Sequence, residues 1–194
     1  MRPELYVQTV LAREGKQKEA ERVARLNNHE LLKPLQTALL LNSKVAEIID
    51  ILKRSIFYGT TLDQTKLTEK YDELVKLILF QKEGNLDVAS DAFQQDGVNR
   101  LLHAALGMIT ESAEFAESVY ESTFAGKEFD KVNAKEEIGD QTWYCGLAID
   151  AIGSNFEEVF EVNNAKLEKR FGKAFSEDKA VNRNLDEERK VLER

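Results

Sequence analysis

From Leu31 to Phe57, apolar side chains recur at helical spacing: Leu35, Leu39, Val45, Ile48, Ile49, Leu52 and Ile56. Strand-like alternation is absent from the whole chain, so the pattern excludes a sheet and predicts an all-α fold. Pro34 suits the first turn of this helix and Gly59 breaks it. A second helix is predicted from Thr65 to Gln81, stopping near Gly84. Asp96-Gly97 marks a turn or linker, and a long helix follows from Val98 to Phe124. Asn133 and Glu136 form a capping box for the next helix, Ser154 and Glu157 one for a helix ending near Phe171-Gly172. Ser176 and Asn184 are possible helix starts in the tail. Before residue 30 the charge density is high and the periodicity weak, which predicts a short helix or a mobile arm.

Two acidic pairs lie on these helices, Glu111-x-x-Glu114 and Glu137-x-x-Asp140. Residues three apart share a helix face, so a fold-back at Gly126 makes four carboxylates converge. Glu137 and Asp140 fall on the side of Tyr144, Leu147, Ala148 and Ala151, which reads as a core face. Acids at core positions are costly unless paired or metal-bound, and a hard divalent cation is the usual partner of clustered oxygen ligands. On the first helix Leu101, Ala105, Met108, Ser112, Phe115 and Val119 form the apolar stripe, with Glu111 at its border; Glu117 and Glu121 continue towards solvent.

The chain also echoes itself. Ile56–Asp63 aligns with Thr123–Asp130 at an offset of 67, and the same register pairs Ala38-Leu39 with Ala105-Leu106 and Ala46-Glu47 with Ala113-Glu114. About nine residues in about forty positions are identical, as expected of two helical hairpins of one design. The copies differ at the acids: Lys44 stands opposite Glu111 and Lys70 opposite Glu137, while Glu47 and Glu73 remain acidic. The first hairpin therefore reads as degenerate. The predicted architecture is an antiparallel helical bundle of two similar hairpins, in an N-terminal region 1–95 and a catalytic region with tail, 96–194.

Composition narrows the function classes. A net charge of −8 with no basic stripe argues against binding nucleic-acid polymers. A small anionic ligand would need local cations or a metal. The single Cys145 forms no internal disulfide, fits a reducing cytosol and reads as a small buried hydrophobe. No apolar run reaches membrane-spanning length and the N-terminus has no signal-peptide core, so a cytoplasmic location without membrane contact is expected.

Leu102-His103-Ala104-Ala105-Leu106-Gly107 leads into Thr110-Glu111-Ser112-Ala113-Glu114. Lys135-Glu136-Glu137-Ile138-Gly139-Asp140 with Trp143-Tyr144 follows, then Asn163-Asn164-Ala165-Lys166-Leu167-Glu168-Lys169-Arg170-Phe171. This ordered set, over residues 98–194, resembles the MazG-like all-α nucleoside triphosphate pyrophosphohydrolases, and the tail is similar to tails of phage-encoded members. The resemblance implies a bacterial cytosolic enzyme with Mg²⁺, replaceable by Mn²⁺, held by Glu111, Glu114, Glu137 and Asp140. It implies hydrolysis of a nucleoside triphosphate between the α- and β-phosphates, releasing a monophosphate and pyrophosphate. One carboxylate not fully committed to metal would take the proton from water, Glu114 being the first choice. Asn163, Lys166 and Arg170 recur on one helix face; Lys166 and Arg170 suit phosphates, and Asn163 a phosphate or a metal-bound water. Trp143 and Tyr144 are candidates to line a base pocket, with one of them only packing. His103 reads as a core or packing histidine rather than a ligand. Lys127, Lys131 and Asn133 border the expected substrate mouth. A homodimer is the expected assembly. The close alternatives are a dUTP-specific pyrophosphatase and a phosphoribosyl-ATP pyrophosphohydrolase; the non-enzymatic one is an acidic helical interaction module.

Overall fold

The computed structural model describes residues 2–14, 21, 24, 25, 28–79 and 96–193. The described residues form eight helices and no strand. They are α1 (Pro3–Arg13), α2 (His29–Phe57), α3 (Gln64–Leu79), α4 (Asp96–Phe124), α5 (Lys131–Ala151), α6 (Phe156–Phe171), α7 (Glu177–Val181) and α8 (Leu185–Leu192). The all-α reading therefore holds.

Helix starts differ from expectation where two residues of similar capping chemistry lie close together. Asn28 caps α2, its side chain accepting the Glu30 N–H at 2.9 Å, so the helix begins early and Pro34 sits in its second turn. Asp96-Gly97 is not a linker but lies within α4. Asp130, not Asn133, caps α5: its Oδ1 accepts the N–H of Val132 at 2.8 Å and of Asn133 at 3.1 Å. For α6 the cap is Asn155, which accepts the Glu158 N–H at 2.9 Å, while Ser154 donates to the Glu158 carboxylate. Ser176 and Asn184 cap α7 and α8 as expected. Gly59 and Gly126 take positive φ, 65° and 71°, just after α2 and α4, a conformation that favours glycine at a helix C-terminus. The predicted stop at Gly84 lies outside the described residues, as does most of segment 15–27.

The chain divides into two compact units. Unit 1 comprises residues 1–24 and 89–160; unit 2 comprises 25–88 and 161–194. Unit 1 is centred on the pairing of α4 with α5, against which α1 packs. Val10, Ala104 and Leu147 are fully buried there, with Tyr6, Met108, Trp143 and Ala148 around them. Gly146 permits the approach of α1, because a Cβ there would lie 3.0 Å from the Val10 side chain. Arg100 fastens the same corner, donating to Glu14 at 3.0 Å twice and pairing with Asp150 at 2.8 Å.

In unit 2, α2 packs on α3. Leu32, Ile48 and Ala180 are buried there, while Val45, Ile49 and Ile56 of the predicted stripe are exposed. The tail end of the unit is held by aromatic contacts of Phe175 with Tyr58 and Phe171, and by Glu188, a buried carboxylate.

Candidate metal centre

Pairing of α4 with α5 brings three of the four predicted acids together. Glu111, Glu114 and Glu137 each place a carboxylate oxygen within 4.8 Å of the others. Glu111 is half-buried, Glu114 exposed and Glu137 buried. Asp140 is exposed and outside this group. Three residues on a helix turn the side chain by about 60°, enough to carry Asp140 from the seam to its rim while Glu137 stays inside.

Polar and apolar contacts fix the register. The Gln141 amide donates to Ser112 Oγ at 2.6 Å, and Ser112 Oγ donates to the Met108 carbonyl at 2.5 Å. Cys145 Sγ lies 3.6 Å from Met108 Sδ, and burial raises its thiol pKa. That agrees with the reading of Cys145 as a packing residue, although it is only half-buried. Gly107 lets α5 come close: an ideal Cβ there would overlap the Tyr144 ring.

The aromatic residues pack among themselves. Trp143 and Tyr144 meet edge to face at 4.9 Å, and His103 meets Tyr144 at 5.6 Å and Trp143 at 6.3 Å. His103 is exposed, so it packs on rings at the surface and not in the core. Burial, then the charges of Glu111 and Asp140, raise the Tyr144 phenol pKa, which places the ring beside the acids. Tyr6 of α1 is a neighbour that the helical pattern did not assign to the site. Its hydroxyl faces the Gly139 carbonyl at 3.4 Å, and burial followed by Asp140 and Cys145 raises its pKa. The signal available was Tyr6 and Val10 at i, i+4 in a short helix.

The electrostatics fit a hard cation. Glu137 is held above the usual carboxylate range by burial first, then by Glu114 and Glu111, with a carboxyl–carboxyl hydrogen bond to Glu111. Among the described residues no Lys or Arg forms an ion pair with Glu111, Glu114 or Glu137. An all-oxygen, all-carboxylate donor set sharing charge in this way suits Mg²⁺ or Mn²⁺ and not a soft ion.

An acidic cleft of about 320 Å³ opens from the cluster, lined by Glu114, Glu117, Ser118, Glu121, Glu128, Asp130, Asn133 and Glu137. Asn133, one of the three residues of the hairpin connection named above, is among them. Lys127 pairs with Glu121 on its rim, and Lys131 is exposed.

The predicted phosphate residues lie in unit 2. Asn163 is exposed and accepts from Lys166 Nζ at 2.6 Å. Arg170 makes a bidentate pair with Glu188 at 2.8 and 2.5 Å, and Arg183 reaches the same carboxylate at 2.7 Å. Lys166 and Arg170 are thus engaged within unit 2, by Asn163 and by the tail carboxylate. Comparison of the chain with protein-family models, curated proteins and solved structures finds no match.

Proposed function

We propose that the chain is a divalent-cation-dependent nucleoside triphosphate pyrophosphohydrolase, converting a ribo- or deoxynucleoside triphosphate to the monophosphate and pyrophosphate. The observation that carries this reading is the convergence of Glu111, Glu114 and Glu137 with Glu137 buried and without a basic partner. Mg²⁺ or Mn²⁺ would be held by these three, with Asp140 at the rim as the fourth acid. When bound, such an ion neutralises polyphosphate charge and lowers the pKa of water.

The chain's own residues supply the rest. Glu114, the exposed member, is free to orient a water molecule and take its proton. For Asn163, Lys166 and Arg170, a role in holding the leaving pyrophosphate, where negative charge develops, is supported by the resemblance alone. Trp143 lies beside Tyr144 and His103 in an aromatic group suited to a base. The resemblance to MazG-like enzymes agrees with this assignment. A homodimer belongs to the same proposal, supported by the exposed apolar residues Ile49, Ile56, Val75 and Ile78 of α2 and α3.

The test is product analysis with a panel of ribo- and deoxynucleoside triphosphates and phosphoribosyl-ATP in Mg²⁺. Monophosphate and pyrophosphate are the expected products, and the panel separates a general enzyme from a dUTP-specific or phosphoribosyl-ATP enzyme. Diphosphate and orthophosphate as sole products would refute the bond assignment. No turnover of any substrate, with or without Mn²⁺, would leave the acidic interaction module as the better reading.

A further inference from the structure

The internal echo extends from sequence to geometry. At the offset of 67, the end of α2, Phe57, falls on the end of α4, Phe124. The starts of α3 and α5, Gln64 and Lys131, coincide in the same way. So do the positive-φ glycines, Gly59 and Gly126. Asp63 accepts the N–H of Lys66 at 2.9 Å just as Asp130 accepts that of Asn133.

The sites coincide too. A cleft of about 580 Å³ in the first hairpin is lined by Glu47, Asp50, Ile51, Lys66 and Lys70, among others. Their counterparts at the same offset, Glu114, Glu117, Ser118, Asn133 and Glu137, all line the acidic cleft of the second hairpin. At the centre of the first lies a closed ring of four side chains. Lys44 Nζ is 3.0 Å from Glu47 and 3.0 Å from Glu73; Lys70 Nζ is 2.9 Å from Glu47 and 3.1 Å from Glu73. These are the counterparts of Glu111, Glu114, Glu137 and Asp140.

We propose that the two hairpins are copies of one cation-binding hairpin, and that in the first copy the ammonium groups of Lys44 and Lys70 stand in place of the divalent cation, leaving a latent metal site. The proposal rests on the reading of Glu111, Glu114 and Glu137 as metal ligands. Each ammonium bridges both remaining carboxylates, as a cation shared by two ligands does. Two lysines against two glutamates make the ring neutral, so the first hairpin closes without metal, whereas the second accumulates uncompensated carboxylates. The shifts run the same way: hydrogen bonds to Glu47 and Glu73 hold both lysines above the ordinary ammonium range, and those bonds hold both glutamates below the carboxylate range. Glu73 reaches the ring where Asp140, one methylene shorter, stays at the rim.

The test uses the full chain and Mn²⁺ alone, read by electron paramagnetic resonance. A background carrying Glu111→Gln and Glu137→Gln removes the second site. Adding Lys44→Glu and Lys70→Glu to that background is expected to raise bound Mn²⁺ from none to one per chain, and no gain overturns the proposal. Absence of Mn²⁺ binding to the unaltered chain would count against the second hairpin as a metal centre, a separate failure. Should the quadruple variant be unfolded in chelator, recovery of helical circular dichroism on adding Mn²⁺ supports the proposal. Lys44→Gln in the same Glu111→Gln, Glu137→Gln background is the milder arm. Its melting temperature is expected to fall in chelator and to recover with millimolar Mn²⁺ but not with NaCl of matched ionic strength. Equal recovery with NaCl, or none with Mn²⁺, overturns the latent site.

Discussion

Glu188→Gln keeps the shape of a buried side chain and removes only its charge. Glu188 is 4 % exposed and accepts from both Arg170 and Arg183. Those two guanidiniums, Arg170 first, hold its pKa at about 2 against an ordinary value of 4.5. A carboxyl lowered in this way stabilises the fold fully above its unfolded pKa and loses that contribution as pH falls towards the folded one. The gap between 4.5 and about 2 corresponds to about 3 kcal/mol. Arg183 is 35 % exposed, so solvent screening reduces the expected effect to about 1–2 kcal/mol. Urea unfolding followed by far-ultraviolet circular dichroism should show this loss near pH 7, shrinking to less than half by about pH 3, where most unfolded carboxyls are protonated. Hydrogen exchange should place the loosening in residues 161–193. Equal stability of variant and parent near neutral pH, or a difference unchanged in acid, would refute the reasoning. Arg170→Ala removes one partner from the same carboxylate, so its activity mixes stability with substrate contact, and Arg170→Lys is the cleaner probe.

Glu137→Gln relieves repulsion within the acid cluster, so the metal-free protein should melt higher than the parent, while the stabilisation by Mg²⁺ and the hydrolytic activity should both disappear; an unchanged Mg²⁺-induced shift would remove Glu137 from the site. Gly107→Ala gains helix propensity of about 1 kcal/mol but drives a methyl into the Tyr144 ring, a cost of about 1–3 kcal/mol, so a net loss of thermal stability is expected. A more stable Gly107→Ala protein would show that Tyr144 moves aside freely. Asp140→Glu adds the methylene by which Glu73 reaches its ring, and should tighten Mn²⁺ binding several-fold in a titration; weaker binding would mean that Asp140 already sits where the ion needs it.

Periodicity made the helices legible because helix formation is local: α2, α4 and the turns at Gly59 and Gly126 follow from apolar spacing and glycine placement. The same locality blurred the starts. Asp130 and Asn133 both offer a capping oxygen, and only the chain's path decides between them. Spacing grouped four acids, since i, i+3 pairs on two facing helices can meet, and Glu111, Glu114 and Glu137 do so. The place of Asp140 could not, because about 60° of rotation separates a seam from its rim and depends on how α4 and α5 roll together. Arg170 with Glu188, and Tyr6 beside α5, are contacts between elements whose separation in sequence carries no periodic signal.

Gly107 lies one helical turn before Glu111, and the Tyr144 ring seated against it sets how near α4 and α5 come. The carboxylates are thus spaced by the thickness of an aromatic ring and not by a loop that can adjust. Ions differ in how much adjustment they demand: Mg²⁺ requires short, near-octahedral contacts, whereas Ca²⁺ accepts longer and more irregular ones. In the proposed metal site a gauge of this kind would make ionic radius a criterion for entry, and widening the notch would change which ion is admitted before it changed how many ligands are present.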